Sequence, residues 1–177
     1  MSETKLMISL STLNDMTDDE FVEILKDIFE HSAWVAETVR GDRPFKSVRS
    51  LHSAMVAAVA DASQRAQLDL ICAHPDLAGK AALAGELTES STDEQAGAGL
   101  DTLSSDEFAA FHKLNDGYRS KFGFPFILAV KGHDKHSILK AFQTRLENDL
   151  EHEQIEALRQ IAEIGRFRLE ALLKHEA

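Results

Sequence analysis

Apolar residues recur at helical spacing along most of the chain. After Thr17-Asp18-Asp19-Glu20, the residues Phe21, Ile24, Leu25, Ile28 and Phe29 fall three or four apart, as on one face of a helix. Thr17 to Glu20 forms a capping-box pattern, in which the threonine oxygen and the glutamate reciprocally satisfy free backbone N–H groups. Trp34 belongs to a second, short helix ending near Gly41, and Arg43-Pro44-Phe45 is a connection. Ser47 caps a helix whose apolar face is Val48, Leu51, Met55, Val56 and Val59. The next runs from about Ser63 to Cys72 and must yield near Pro75, which cannot continue the backbone ladder. His74 to Ser90 is rich in Ala and Gly, with a short helical piece inside it. Ser91-Thr92-Asp93-Glu94 and Ser104-Ser105-Asp106-Glu107 predict two more capping boxes. The second opens a helix through Phe108, Phe111, Leu114 and Tyr118 that stops near Gly123. Two final helices, over about 134–149 and 152–174, carry Ile138, Leu139, Phe142 and Leu146, then Ile155, Leu158, Ile161, Leu169 and Leu172.

Between the helices one run breaks the period. Phe124-Pro125-Phe126-Ile127-Leu128-Ala129-Val130 is continuously apolar, with a proline near its start, and ends at Lys131-Gly132. It reads as a buried extended segment. One such segment cannot make a sheet, so the expected fold is all-α: an irregular helical bundle with one short buried extended segment. The 177 residues fit one domain spanning 1–177, with no repeat or linker to divide it.

Charge narrows the function classes. The chain has 30 Asp+Glu against 19 Lys+Arg, a formal net charge of -11. That disfavours nucleic-acid partners, which need cations for their phosphates, and anionic membrane surfaces. It leaves an anionic small substrate open, because a few local cations override the global field. No stretch approaches the roughly 20 apolar residues of a membrane span. Met1 to Leu10 has no signal-peptide pattern, and His175-Glu176-Ala177 is no peroxisomal address. The single cysteine, Cys72, makes an intrachain disulfide impossible and is expected to be a small buried hydrophobe. A reducing, cytoplasmic compartment is the expectation.

Four segments carry candidate chemistry, each with a plainer alternative. His74, where a helix must end, suits proton transfer near neutral pH; equally, a histidine there can simply favour the helix dipole. Ser91 to Gln95 can merely start a helix, or form an anion site with a proton-transferring Glu94 and a Gln95 amide matching an N–C=O group. Gly123 to Val130 is either core or a source of backbone N–H and C=O groups for a planar heterocycle. Arg168 lies on or beside the apolar stripe of the last helix, one turn after Gly165. A buried guanidinium needs an anion, either an internal Asp or Glu or a substrate carboxylate. His133-Asp134 and His136 hint at a metal, but Asp134 more simply caps the helix that follows; no metal site is expected. Arg145 and Asn148 suggest an ion pair or a helix-to-helix contact.

Taken together, three motifs resemble one family. They are His-Pro-Asp-Leu-Ala-Gly-Lys at 74–80, Ser-x-x-Glu-Gln-x-x-Ala-Gly-Leu at 91–100, and Leu-Asn-x-x-Tyr-x-x-Lys-Phe-Gly-Phe-Pro-Phe-Ile at 114–127. They look like the 2-oxo-4-hydroxy-4-carboxy-5-ureidoimidazoline (OHCU) decarboxylases. Phe29-Glu30-His31-Ser32-x-Trp34-Val35 and Arg145-Leu146-x-Asn148 fit as well, so the resemblance covers nearly the whole chain. It implies an all-α homodimer without cofactor that completes the conversion of urate to (S)-allantoin. It also implies site residues. His74 matches the catalytic histidine, with Glu94 beside it. Pro75, Ser91, Glu94 and Gln95 match substrate contacts. Phe126, Ile127, Leu128, Ala129 and Val130 match backbone contacts, and Arg168 matches a C-terminal arginine. Two rival readings are an all-α metal phosphohydrolase using the His and Asp pairs, and a non-enzymatic helical interaction module.

Overall fold

The computed structural model describes residues 7–174, except the side chains of Lys80 and Ala81. Of the terminal residues read above for targeting, 1–6 and 175–177, like the Lys80 side chain of the first motif, lie outside the described residues. The fold is all-α, as the periodicity predicts. Its helices are α1 (Leu10–Asp15), α2 (Asp18–Leu25), α3 (Trp34–Val39), α4 (Val48–Ala60), α5 (Gln64–Cys72), α6 (Lys80–Leu83), α7 (Glu89–Gly97), α8 (Ser105–Phe122), α9 (Lys135–Leu146) and α10 (Leu150–Leu172). A 3-10 turn at Arg40–Asp42 extends α3. Two compact units divide the chain: Met1–Leu70 with Ala162–Ala177, and Ile71–Ile161.

In the first unit, local signals start the helices. Thr17 and Glu20 form the expected capping box, and Ser47 forms one with Ser50. Phe21, Leu25, Phe29, Val35, Leu51, Met55 and Leu169 make its buried core. Asn14 pairs with the backbone of Phe45 in both directions, Nδ2 to O at 2.9 Å and N to Oδ1 at 2.8 Å. That bond stands in for a strand pair and fixes the connection after the 3-10 turn. Helix α1, capped by Ser9, escaped the pattern reading because it is only six residues long and buries just Leu10 and Leu13.

The second unit packs around an aromatic cluster. Phe126 stacks on Phe142 with ring centroids 3.8 Å apart, and Tyr118 meets Phe124, Phe126 and Phe142 edge-on. Helix α8 begins at the expected Ser104–Glu107 capping box and ends at Gly123, whose φ of 80° suits a residue without Cβ. Asp134 caps α9 with Ser137, which accounts for it without a metal. From Phe124 to Val130 the chain is neither helix nor strand, and every residue is buried.

Three expectations fail here. Ser91 does not cap α7; Thr88 does, its side chain accepting the Ser91 N–H. The helix therefore starts one turn earlier, and Ser-x-x-Glu falls inside it. Cys72 is exposed rather than buried. The inward face of α10 is also rotated from the apolar pattern: Ile155 is 62% exposed, whereas Glu153, Ala157 and Gln160 are buried. Two polar side chains hold the inward positions because each has a buried polar partner, described below.

Candidate active site

Helix α5 ends at Cys72, and the chain turns through His74-Pro75-Asp76-Leu77-Ala78-Gly79 before α6. His74 is buried, at 6% exposure. This turn is fastened to α7 and α8 at successive residues. Gln95 on α7 accepts the Ala78 N–H at 2.9 Å and donates to the Asp76 carbonyl at 3.3 Å. Asn115 on α8 donates to the Leu77 carbonyl at 2.9 Å. Arg119, one turn further on, pairs with the Asp76 carboxylate at 2.9 Å. Buried peptide groups need partners, and here side chains supply what no helix or strand does.

The turn is tight. Ala78 has a φ of 51°, a left-handed conformation that L-residues avoid. A Cβ on Gly79 would lie 2.7 Å from that of Asp76, closer than real contacts allow. Such geometry persists only where its surroundings hold it, as Gln95 and Asn115 do.

Because α7 begins at Glu89, Ser91, Glu94 and Gln95 stand at positions i, i+3 and i+4 of one helix face. Ser91 and Gln95 are buried and Glu94 is half-buried. The Glu94 carboxylate is thus no capping partner of Ser91. Gln95 uses both ends of its amide on the turn that carries His74, a bracing role that its sequence context did not disclose. Asn115 was missed altogether as a site residue. Its Oδ1 is buried without a hydrogen bond among the described residues, and the Leu77 carbonyl fixes which end of the amide is the oxygen.

Segment 126–130 is held from the side of α9 and α10. Arg145 donates to the Ile127 carbonyl and lies over the Phe126 ring, 4.6 Å from its centroid. Its other nitrogens meet Glu153, Nη2 to Oε2 at 2.9 Å and Nε to Oε2 at 3.0 Å. Glu153, wholly buried, also accepts from Asn148 at 2.8 Å and from the Tyr118 hydroxyl. Burial, with that hydrogen bond to Glu153, pushes the Tyr118 phenol above its usual range. Gln160 accepts the Ala129 N–H at 2.9 Å. Of the ion pair or helix-to-helix contact expected of Arg145, the ion pair is present, with Glu153 as its partner.

The structure brings His74, Pro75, Ser91, Glu94, Gln95 and 126–130 into the second unit. Arg168 belongs to the first, where its guanidinium meets Glu30 at 2.8 Å and the Asp27 carbonyl at 2.9 Å. The internal acid allowed for by the sequence reading is thus Glu30. The room left by Gly165 is taken by the Phe29 ring, 3.2 Å from where a Cβ would stand. A cavity of about 600 Å³ lies between α6, α7 and the start of α8, among Leu83, Leu87, Thr92, Leu100 and Phe108. Of the expected site residues only Gln95 borders it, so its position does not mark the chemistry. Among the described residues, no three His, Cys, Asp or Glu side chains are grouped to hold a metal ion. No helix among them is long and apolar enough to cross a membrane.

Comparison with known proteins places the chain. The family model described as OHCU decarboxylase matches residues 14–170. A 2-oxo-4-hydroxy-4-carboxy-5-ureidoimidazoline decarboxylase of Haloferax volcanii is 43% identical over 92% of this chain and 94% of its own length. The uric acid degradation bifunctional protein PucL of Bacillus subtilis is also 43% identical, over 92% of this chain but only 32% of its own. Among solved structures, an (S)-allantoin synthase shares 32% identity with a TM-score of 0.77, covering 94% of this chain; the chain spans 54% of that protein. The match runs through all three motifs and most of the chain around them: this protein belongs to the OHCU decarboxylase family.

Proposed function

We propose that this protein decarboxylates OHCU to (S)-allantoin, the last step of urate oxidation to allantoin, with the second unit supplying the chemistry. The observation that carries the reading is the buried His74 on a turn braced by Gln95, Asn115 and Arg119, in a family whose relatives bear this activity by name. The substrate carries a carboxylate and a hydroxyl on one ring carbon, next to a C=N bond. When the C–CO₂ bond breaks, its electron pair flows into that C=N. The ring nitrogen that receives the pair takes up a proton, and a second proton is added at the neighbouring ring carbon as the C4 hydroxyl releases its own to become a carbonyl. The balance is OHCU carboxylate plus a proton giving allantoin plus CO₂. The substrate is thus its own electron sink, and the protein's tasks are positioning, charge control and delivery of the proton to one face.

His74 handles the proton of the C4 hydroxyl or ring, with Glu94 assisting, and Pro75, Ser91 and Gln95 line the substrate's place. Backbone groups of 126–130 take the ring and ureido amides. Arg168 matches an arginine that would orient an anionic oxygen, but its guanidinium here serves Glu30, and no step is routed through it. We read the chain as one domain that acts as a cytoplasmic homodimer. Sedimentation of the purified protein checks the dimer, and a monomer that turns over substrate would remove it from the mechanism.

The test is circular dichroism on freshly generated OHCU with and without the protein. Fast decay to optically active (S)-allantoin supports both catalysis and face-selective protonation. Decay at the unassisted rate to racemic product overturns the reading.

A further inference from the structure

Segment 126–130 and the polar residues of α10 carry an inference that rests on the proposed reaction and narrows how its substrate is recognised. Arg145 holds the carbonyl of Ile127, and Gln160 holds the N–H of Ala129. Both holders belong to one side. Arg145 is forked onto Glu153, and Gln160 follows Glu153 by seven residues, two turns along the same face of α10. Peptide groups are planar and trans, so each carbonyl points opposite to the N–H of the residue after it. Ile127 O directed at Arg145 therefore directs Leu128 N–H the other way. Ala129 N–H directed at Gln160 likewise directs Leu128 C=O the other way. Leu128, 8% exposed, makes no hydrogen bond through either group among the described residues.

We infer that Arg145 and Gln160 are positioning residues that aim the N–H and C=O of Leu128 as a paired donor and acceptor, fitted to the amide edge of a cyclic or open urea. A urea edge offers an N–H beside a C=O and so meets both groups at once. A ligand with only acceptors or only donors leaves one of two buried groups unsatisfied, which is where discrimination arises. The buried Arg145–Glu153 pair then has a use beyond stability, for which such pairs are weak devices. It terminates on a main-chain carbonyl with a fixed fork that a flexible apolar residue could not replace.

Removing Arg145 leaves Glu153 buried and uncompensated, so the decisive variants are at Gln160. In Gln160→Met the Ala129 N–H loses its acceptor. In Gln160→Glu combined with Glu156→Gln, an acceptor returns at 160, and the bond that Gln160 now donates to Glu156 is made with its direction reversed. Nitrogen-15-labelled protein is titrated with (S)-allantoin, following the Leu128 amide, and OHCU turnover is recorded alongside. In the wild type the Leu128 amide proton is expected to move downfield on binding. Gln160→Met, folded by its far-ultraviolet spectrum, is expected to weaken allantoin binding and raise KM roughly tenfold, about one hydrogen-bonded edge, with a smaller change in kcat. The double variant returns KM to within about threefold of wild type. A Leu128 amide that does not respond, or a folded Gln160→Met with unchanged affinity and KM, overturns the inference. Turnover without a Leu128 response removes the inference and leaves the reaction standing; a Leu128 response without turnover does the reverse.

Discussion

Gln95 accepts the N–H of Ala78 at 2.9 Å and in doing so holds a non-glycine residue at a φ of 51°. The same amide donates to the carbonyl of Asp76, so one side chain of α7 bridges the bend that follows His74. The bend is therefore a part whose shape is imposed from outside, and its sensitivity to substitution can be stated.

Ala78→Gly relieves the left-handed strain but adds freedom to the unfolded chain, and these effects, about 1 kcal/mol each, should nearly cancel. Ala78→Val adds a branched side chain at the same positive φ and at a buried position, and should cost about 2 kcal/mol or more. Gly79→Ala should behave like the valine variant, because its Cβ would sit 2.7 Å from that of Asp76. Urea denaturation of the three variants checks this; a valine variant as stable as the glycine one would show that the bend is not strained.

His74→Ala should stay folded and lose most turnover. Its cost in stability should be modest, because a small buried imidazole leaves a limited void, about 1–3 kcal/mol. Near-normal decay of OHCU to optically active product with this variant would remove His74 from the mechanism.

Glu94→Gln isolates charge from shape. Thr88 caps α7, so the carboxylate of Glu94 is not needed to start the helix. Helix content and melting temperature should be unchanged while kcat falls at least tenfold, in the range general acid–base groups contribute. Full activity would leave Glu94 a half-buried residue of a helix face and nothing more.

Arg145→Met should destabilise by about 3–5 kcal/mol, the cost of leaving a buried carboxylate without its cation. Adding Glu153→Leu should recover part of that loss, since it removes the uncompensated carboxylate but leaves the Tyr118 hydroxyl and the Ile127 carbonyl without their partners. Urea titrations of the single and double variants form the cycle. Losses that simply add would mean that the two residues do not act as a pair.

Acid stability offers a separate check. Lys135 beside Glu107, together with the Ser104 N–H, holds the Glu107 carboxyl down to about 2, against 4.5 for the free group. A depressed carboxyl stabilises fully above its unfolded value and loses that contribution as pH falls through the folded one. The urea midpoint of the wild type should therefore drop between about pH 4.5 and 2 more steeply than that of Glu107→Gln. Parallel curves would show the pair to be a solvated contact without consequence.

Much of the local structure was legible beforehand. Thr17, Ser104 and Asp134 start helices because short oxygen-bearing side chains satisfy N–H groups three residues ahead, a relation contained within four positions. The same rule misled at Ser91. Thr88 can also reach three residues ahead, to Ser91 itself, and local sequence does not say which of two candidate caps is used. On α10 the apolar pattern gave the wrong face near Ile155, because period alone treats Glu153 and Gln160 as solvent-facing.

By itself the sequence determined the all-α class, most helix ends and the three motifs that mark the family, since these depend on spacing and on groups a few bonds apart. Tertiary structure alone decided the partners of the polar residues inside. Arg168 meets Glu30 and Asp27, Asn115 meets Leu77 38 residues away, and Arg145 meets Ile127 and Glu153. The physical reason is that a buried charge or amide must find some partner, yet any acid or carbonyl of the chain would satisfy it chemically. Only packing brings one of them within reach.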